Sequence, residues 1–159
     1  MSDENGECLG EGLSTADRDC RWNWIVGWLS LALGAATGLL MGLWSFDGPL
    51  AIPAWLGDYG DTSRRLARLG HIAFFGLGIL DILLAREIPR FLLGIRARQT
   101  AAVAMVFGNV FLPLTLFAAA AYPPMKYFMA LPALSVFLAL VIAVYGAFRQ
   151  QKGAGDAHS

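Results

Sequence analysis

Charge is what this sequence has least of. Only 15% of its 159 residues are Asp, Glu, Lys or Arg, and 57% are hydrophobic. A soluble globular domain carries about 25% charged residues. The twelve acidic and twelve basic side chains cancel. No basic stripe with interleaved aromatics is present, which excludes a nucleic-acid-binding surface of the usual kind. The two cysteines, Cys8 and Cys20, both fall in the polar N-terminal stretch. Two thiols are too few for a structural zinc site, which takes about four ligands. A disulfide between them would need an oxidising compartment. No Gly-rich phosphate loop, HExxH or GxSxG motif occurs, so the sequence offers no ATPase, zinc-protease or serine-hydrolase signature. No internal repeat of about 20–50 residues is seen, and no inverted pair of interrupted helices of the kind secondary transporters carry.

What the sequence does contain is long, nearly charge-free apolar runs. Apolar stretches of about 18 residues or more suggest transmembrane helices. Four are predicted, at about 24–44, 66–85, 100–121 and 127–148. The fold class expected is an all-α membrane protein: a four-transmembrane-helix antiparallel bundle with short connections. The first run covers about 31 Å as a helix, enough for the hydrocarbon core. Trp22, Trp24 and Trp28 mark one of its interfaces and Trp44 the other, in the manner of aromatic belts. The first 21 residues are acidic, Gly-containing and expected to be disordered. An acidic start followed by a long apolar run is not the pattern of a cleavable signal, so the run reads as a retained span.

The connections have distinct characters. Residues 45–63 contain Pro49, Pro53, Gly57 and Gly60, with Trp55 and Tyr59 placed for the headgroup level. Asp61, Thr62 and Ser63 offer N-cap oxygens to the next helix. Residues 86–99 are basic, with Arg86, Arg90, Arg96 and Arg98 against Glu87, and a short interfacial helix is expected there. Residues 122–126 form a short turn with Pro123 and Pro124, which makes the third and fourth spans neighbours. A polar tail follows from residue 149. Eight of the twelve Lys and Arg lie in the N-terminal stretch, the middle connection and the C-terminal tail. By the positive-inside rule both termini are expected in the cytoplasm, for a multi-pass protein of a cell membrane, on balance a bacterial inner membrane.

Packing inside a bilayer relies on close approach, which small residues permit. The first span supplies Ser30, Gly34, Gly38 and Gly42 at intervals of four, on one helix face. They are expected to receive another helix, by preference from the same chain. The fourth span has a weaker version in Ala139, Ala143 and Ala147. In the third span Asn109 precedes Pro113 by four residues, so Pro113 leaves the Asn109 carbonyl without its helical donor.

The second span carries the candidate chemistry, His71 and Asp81. An aspartate at the centre of a span costs about 2.5–3.5 kcal/mol on insertion scales, so such residues face the bundle interior and need partners. His71, Phe74, Gly78 and Asp81 follow a 3-4-3 spacing on one face. The two polar groups lie about 15 Å apart along the axis and need separate partners. Arg86 or Arg90 is the expected partner of Asp81, with a proton- or ion-binding role as the alternative. For His71, a hydrogen bond between helices competes with a ligand role. In that role it would hold haem b or copper, with Met41, Met125 or Met129 at a similar depth and Arg68 or Arg65 near an anionic group.

Three functions follow, in order. The first is a non-catalytic accessory or assembly subunit of a membrane complex, partnered by the lipid bilayer and other membrane subunits. The second is a redox-linked haem- or copper-binding protein using His71. The third is a proton- or ion-coupled transporter using Asp81 and Asn109.

Overall fold

In the computed structural model the described residues are 15–45, 48–57 and 61–156. They form four long helices: α1 (Thr15–Leu43), α2 (Thr62–Glu87), α3 (Ile95–Ala121) and α4 (Ala130–Asp156). No strand occurs among them. Four helical segments, two of them including an adjoining 3₁₀ turn, are long and apolar enough to cross a membrane: Arg21–Leu43, Thr62–Arg90, Ile95–Ala121 and Pro123–Gln151. Their 23 to 29 residues exceed the roughly 20 that a bilayer requires. Cys8 and Tyr59 lie outside the described residues.

The helices are longer than the apolar runs alone indicate. α1 begins at Thr15, inside the stretch expected to be disordered. α3 begins at Ile95, absorbing much of the basic connection in place of a separate interfacial helix. α4 continues through the polar residues to Asp156. Polar residues with good helix propensity extend an existing helix readily, because the costly nucleation step has already been taken.

The connections end the helices for local reasons. Pro89 cannot continue α2, and the chain makes a 3₁₀ turn over Ile88–Arg90. Pro123 and Pro124 stop α3 and open a second such turn, Pro123–Met129. After α1 the chain turns back through Leu50 N–H to Leu43 O at 3.3 Å. A third 3₁₀ turn, Ala54–Leu56, then drives Leu56 into the bundle. Gly57 follows it with φ +64°, a conformation that favours glycine. The N-cap of α2 is Asp61, whose side chain makes no capping hydrogen bond. The buried guanidinium of Arg64 instead reaches the end of α1, donating to Trp44 O at 2.8 Å and Ser45 Oγ at 3.2 Å.

α1 packs against α2 and α3, and α4 packs on α3. One apolar core joins α2, α3 and α4 through Leu77, Leu84, Met105, Val136 and Ala139. A second, at the other end, gathers Leu56, Ala67 and Ala120 with Met41, Trp44 and Phe117. Gly146 of α4 lies against Phe91 and Leu93 of the α2–α3 connection.

The α1–α2 seam is made by glycines. A Cβ on Gly27 would lie 2.8 Å from Gly78 O, and one on Gly78 would lie 2.9 Å from Gly27 O. Gly34 faces the Phe75 ring and Gly38 faces the His71 ring. Of the four-residue stripe, Ser30, Gly34 and Gly38 meet α2 or α3, whereas Gly42 is exposed and would have nothing within 4 Å of a Cβ. The seam therefore runs from Asn23 through Gly27, Ser30 and Gly34 to Gly38.

Candidate functional site

Among the described residues, the interior of the bundle holds a polar cluster drawn from three helices. α1 supplies Asn23 and Ser30, α2 supplies Asp81, and α3 supplies Asn109 and the carbonyl of Ala102. Asp81 and Asn109 are fully buried, and Asn23 and Ser30 are only 2% and 3% exposed. The small residues of the α1–α2 seam let α1 come close enough for these short side chains to meet.

The hydrogen bonds form a defined chain. Asn23 Nδ2 donates to Asp81 Oδ1 and, at 3.1 Å, to Ala102 O. Asn109 Nδ2 donates to Asp81 Oδ2 at 2.8 Å. Ser30 Oγ donates to Asn109 Oδ1 at 2.8 Å. The amide orientations follow from these partners, since each nitrogen faces an acceptor and Asn109 Oδ1 faces a hydroxyl. Both carboxyl oxygens of Asp81 accept, and no buried side-chain atom of the cluster lacks a partner. Arg90 and Glu87 form an ion pair at 2.8 Å on the surface. Asp81 thus has two asparagines where an arginine was expected. Arg86 is exposed and Arg90 is occupied by Glu87.

Pro113 explains part of this arrangement. It is buried inside α3, one turn after Asn109. Its missing N–H loosens the helix where the Asn109 side chain turns inward. Gly70 lies beside it: a Cβ there would stand 3.3 Å from Pro113 O. α2 and α3 are therefore in close contact on the Pro113 side of the cluster.

His71 stands apart from the cluster, towards the other end of α2. Its Nδ1 is 2.9 Å from Gly34 O and 3.4 Å from Thr37 Oγ1. Thr37 gives its own hydroxyl hydrogen to Leu33 O or Gly34 O, so Nδ1 of His71 is the donor to Gly34 O. The imidazole meets the Phe75 ring edge-on, with centroids 5.3 Å apart. An Nδ1–H held by a backbone carbonyl is how ligating histidines are oriented, and Nε2 is the atom that would face a metal. Met41 packs against the Leu56–Ala67–Ala120 core. Arg68 is half-buried one turn before His71. No group of three His, Cys, Asp or Glu side chains converges among the described residues.

Two open grooves run along α3. One, of about 650 Å³, lies between α3 and α4, lined by Val103, Phe107, Leu131, Leu134 and Leu138 with Gln99 and Thr100 at one end. The other, of about 380 Å³, lies between α1 and α3, walled by Trp22, Val106, Phe107 and Phe111, and Asn23 borders it. The polar cluster touches this second groove only through Asn23 and Ala102.

Reasoning from sequence paired Asp81 with Asn109 as a possible transport site and placed Ser30 only in the packing stripe, and it missed Asn23. The signal was available: Asn23 precedes Gly27 by four residues and Ser30 by seven, so it continues the same helix face. No protein-family model, curated protein or solved structure matches the chain.

Proposed function

We propose that this chain is an integral membrane protein whose four helices cross the bilayer as an antiparallel bundle, acting as a non-catalytic accessory or assembly subunit of a larger membrane complex. The carrying observation is the apolar surface left on the two outer helices. On α1, Trp22, Trp28, Leu29 and Leu39 are between 52% and 70% exposed. On α4, Leu131, Leu134, Phe137 and Phe148 are between 62% and 65% exposed. Water does not tolerate contiguous apolar faces of this length, whereas lipid and partner helices do. The Asp81 cluster, by contrast, satisfies its own polar side chains inside the bundle. A scaffold that is closed inside and adhesive outside suits a subunit better than an enzyme.

The orientation that agrees with the distribution of Lys and Arg puts both termini on the cytoplasmic side. The test is extraction from the native membrane in mild detergent after crosslinking. Recovery with a stoichiometric membrane partner is the expected result. Recovery as a lone monomer would overturn the subunit reading, and recovery in the supernatant of membrane-free extract would overturn membrane insertion itself.

A second reading is favoured by the Asp81–Asn109 hydrogen bond, which puts two polar side chains of different helices in contact inside the apolar bundle. It is proton- or ion-coupled transport. Flux in reconstituted vesicles tests it: Asp81→Asn abolishes flux if the reading holds, and unchanged flux removes it.

A further inference from the structure

We propose that the Asp81 cluster is a proton-binding site, in which uptake of one proton by Asp81 Oδ2 is accompanied by inversion of the Asn109 amide and reversal of the Ser30 hydroxyl. This goes beyond the subunit reading and does not draw on it.

The argument begins with charge. A carboxylate in an apolar bundle needs a cation, a proton or strong donors around it. Among the described residues, the groups hydrogen-bonded to Asp81 or to its two partners are all neutral. From α1 they are Asn23 and Ser30; from α3 they are Asn109 and the Ala102 carbonyl. Arg98, one turn before Ala102, directs its Nη2 to Phe91 O at 2.8 Å. Arg21 is exposed, beyond Asn23, and Glu87 faces Arg90 at the surface. α4 contributes Val136 and Ala139 to the neighbouring core, neither of which titrates. Among the described residues Asp81 therefore has no counter-ion, and a proton is the one neutralising species that needs no additional volume in so closely packed a cluster.

The hydrogen bonds then determine where that proton goes. Asn23 is locked, because its Nδ2 serves two acceptors, Asp81 Oδ1 and Ala102 O, and inversion would set its oxygen against that carbonyl. Asn109 is not locked. Its two side-chain partners are a carboxyl oxygen and a hydroxyl, each able to reverse its role on protonation or rotation. With a proton from water on Oδ2, Asp81 donates to Asn109 Oδ1, and Asn109 Nδ2 donates to Ser30 Oγ. The Ser30 hydrogen turns to a carbonyl one turn back on its own helix, a common serine arrangement. Apart from the exchange of Asn109 Oδ1 and Nδ2, every heavy atom stays in place, and no polar side chain of the cluster loses its partner in either state. Release of the proton to water reverses each step. The site lies near one end of the bundle: Asn23 is two residues from exposed Arg21, and Asp81 is about 9 Å along the axis from Glu87.

Infrared difference spectroscopy of the intact protein across the pH range in which it stays folded tests this. A carboxylic C=O band that comes and goes with pH is expected, absent in Asp81→Asn and shifted in Asp81→Glu. The second variant keeps the test valid if the first does not fold. A simultaneous change in the asparagine side-chain amide band, lost in Asn109→Leu, is expected as well. No titrating band assignable to residue 81 would overturn the site. A titrating band without an asparagine change would overturn the inversion. A band displaced by sodium at constant pH would assign the site to a metal cation and overturn the proton.

Discussion

The glycine seam between α1 and α2 yields the sharpest quantitative test. In Gly27→Ala the new methyl would stand 2.8 Å from Gly78 O and 2.6 Å from Ile82 Cγ1. The Ile82 side chain can rotate away, but the carbonyl belongs to the backbone of the facing helix and moves only with it. Separating the helices by half an ångström or more forfeits about a quarter to a half of each dispersion contact along the seam. Overpacking of this kind costs about 1–3 kcal/mol. Against it stands the gain of about 1 kcal/mol from replacing glycine by alanine within a helix. Net destabilisation of about 0–2 kcal/mol is expected for Gly27→Ala, and a similar loss for Gly78→Ala, each about 1–3 kcal/mol below a glycine-to-alanine change in open space. Gly42→Ala and Gly76→Ala are the controls, because a Cβ at either position would have nothing within 4 Å. They should be neutral or slightly stabilising. Gly38→Ala falls between, since the obstacle there is the ring of His71 and not backbone. Equilibrium unfolding of the five variants in mixed micelles measures the differences. If Gly27→Ala and Gly42→Ala agree within about 0.5 kcal/mol, the size of an ordinary surface effect, the seam does not hold α1 in place.

Three further outcomes follow from single side chains. Asn23→Ala removes both amide bonds and leaves Asp81 Oδ1 without a donor; the soluble-protein scale of about 1–3 kcal/mol and the membrane average near 0.6 bracket a loss of about 1–2 kcal/mol in unfolding free energy, and no measurable loss would mean that the cluster does not couple α1 to the bundle. Arg64→Met keeps the stem but uncaps the end of α1, and two bonds from a buried charged donor suggest a loss of about 1.5–3 kcal/mol, with faster hydrogen exchange at residues 43–45 as the local readout. Glu87→Gln breaks an ion pair whose side chains are 66% and 43% exposed; such pairs contribute about 0–1 kcal/mol, so the melting temperature should hardly move at moderate salt.

The four apolar helices were readable from composition because hydrophobic run length is a one-dimensional signal. Helix ends were not, since Thr15, Ile95 and Asp156 lie in polar sequence that follows the helix it adjoins. The small-residue stripe was legible as a face, but its extent depended on where α2 crosses it. Gly42 shares the four-residue spacing yet lies past the contact, while Gly27 breaks that spacing and lies within it. For Asp81, proximity in sequence pointed to Arg86 and Arg90. Those side chains reach the surface, where hydration of the guanidinium outweighs what burial beside a carboxylate would return. Asparagine on facing helices is a partner that sequence order cannot reveal.

The seam and the cluster depend on each other. Asn and Ser side chains are short, so Asn23 and Ser30 reach Asp81 and Asn109 only if α1 lies within backbone contact of α2, which Gly27 and Gly78 permit. Glycine contacts alone are permissive about register: α1 could slide by about two turns and present Gly34, or by about three and present Gly38, in place of Gly27. The polar bonds remove that freedom, because a one-turn slip, about 5.4 Å, would break every hydrogen bond from α1 to the cluster and strand Asp81 Oδ1 in an apolar surrounding. Small residues thus bring the helices together and the polar side chains select one register among those allowed. It follows that widening the seam at Gly27 and deleting the amide at Asn23 should be strongly non-additive. Once the helices are held apart, Asn23 has little left to lose, and the double variant Gly27→Ala/Asn23→Ala should unfold with nearly the same free energy as Gly27→Ala alone. Simple addition of the two single losses would mean that close approach and hydrogen bonding act independently, and the coupling between them would have to be abandoned.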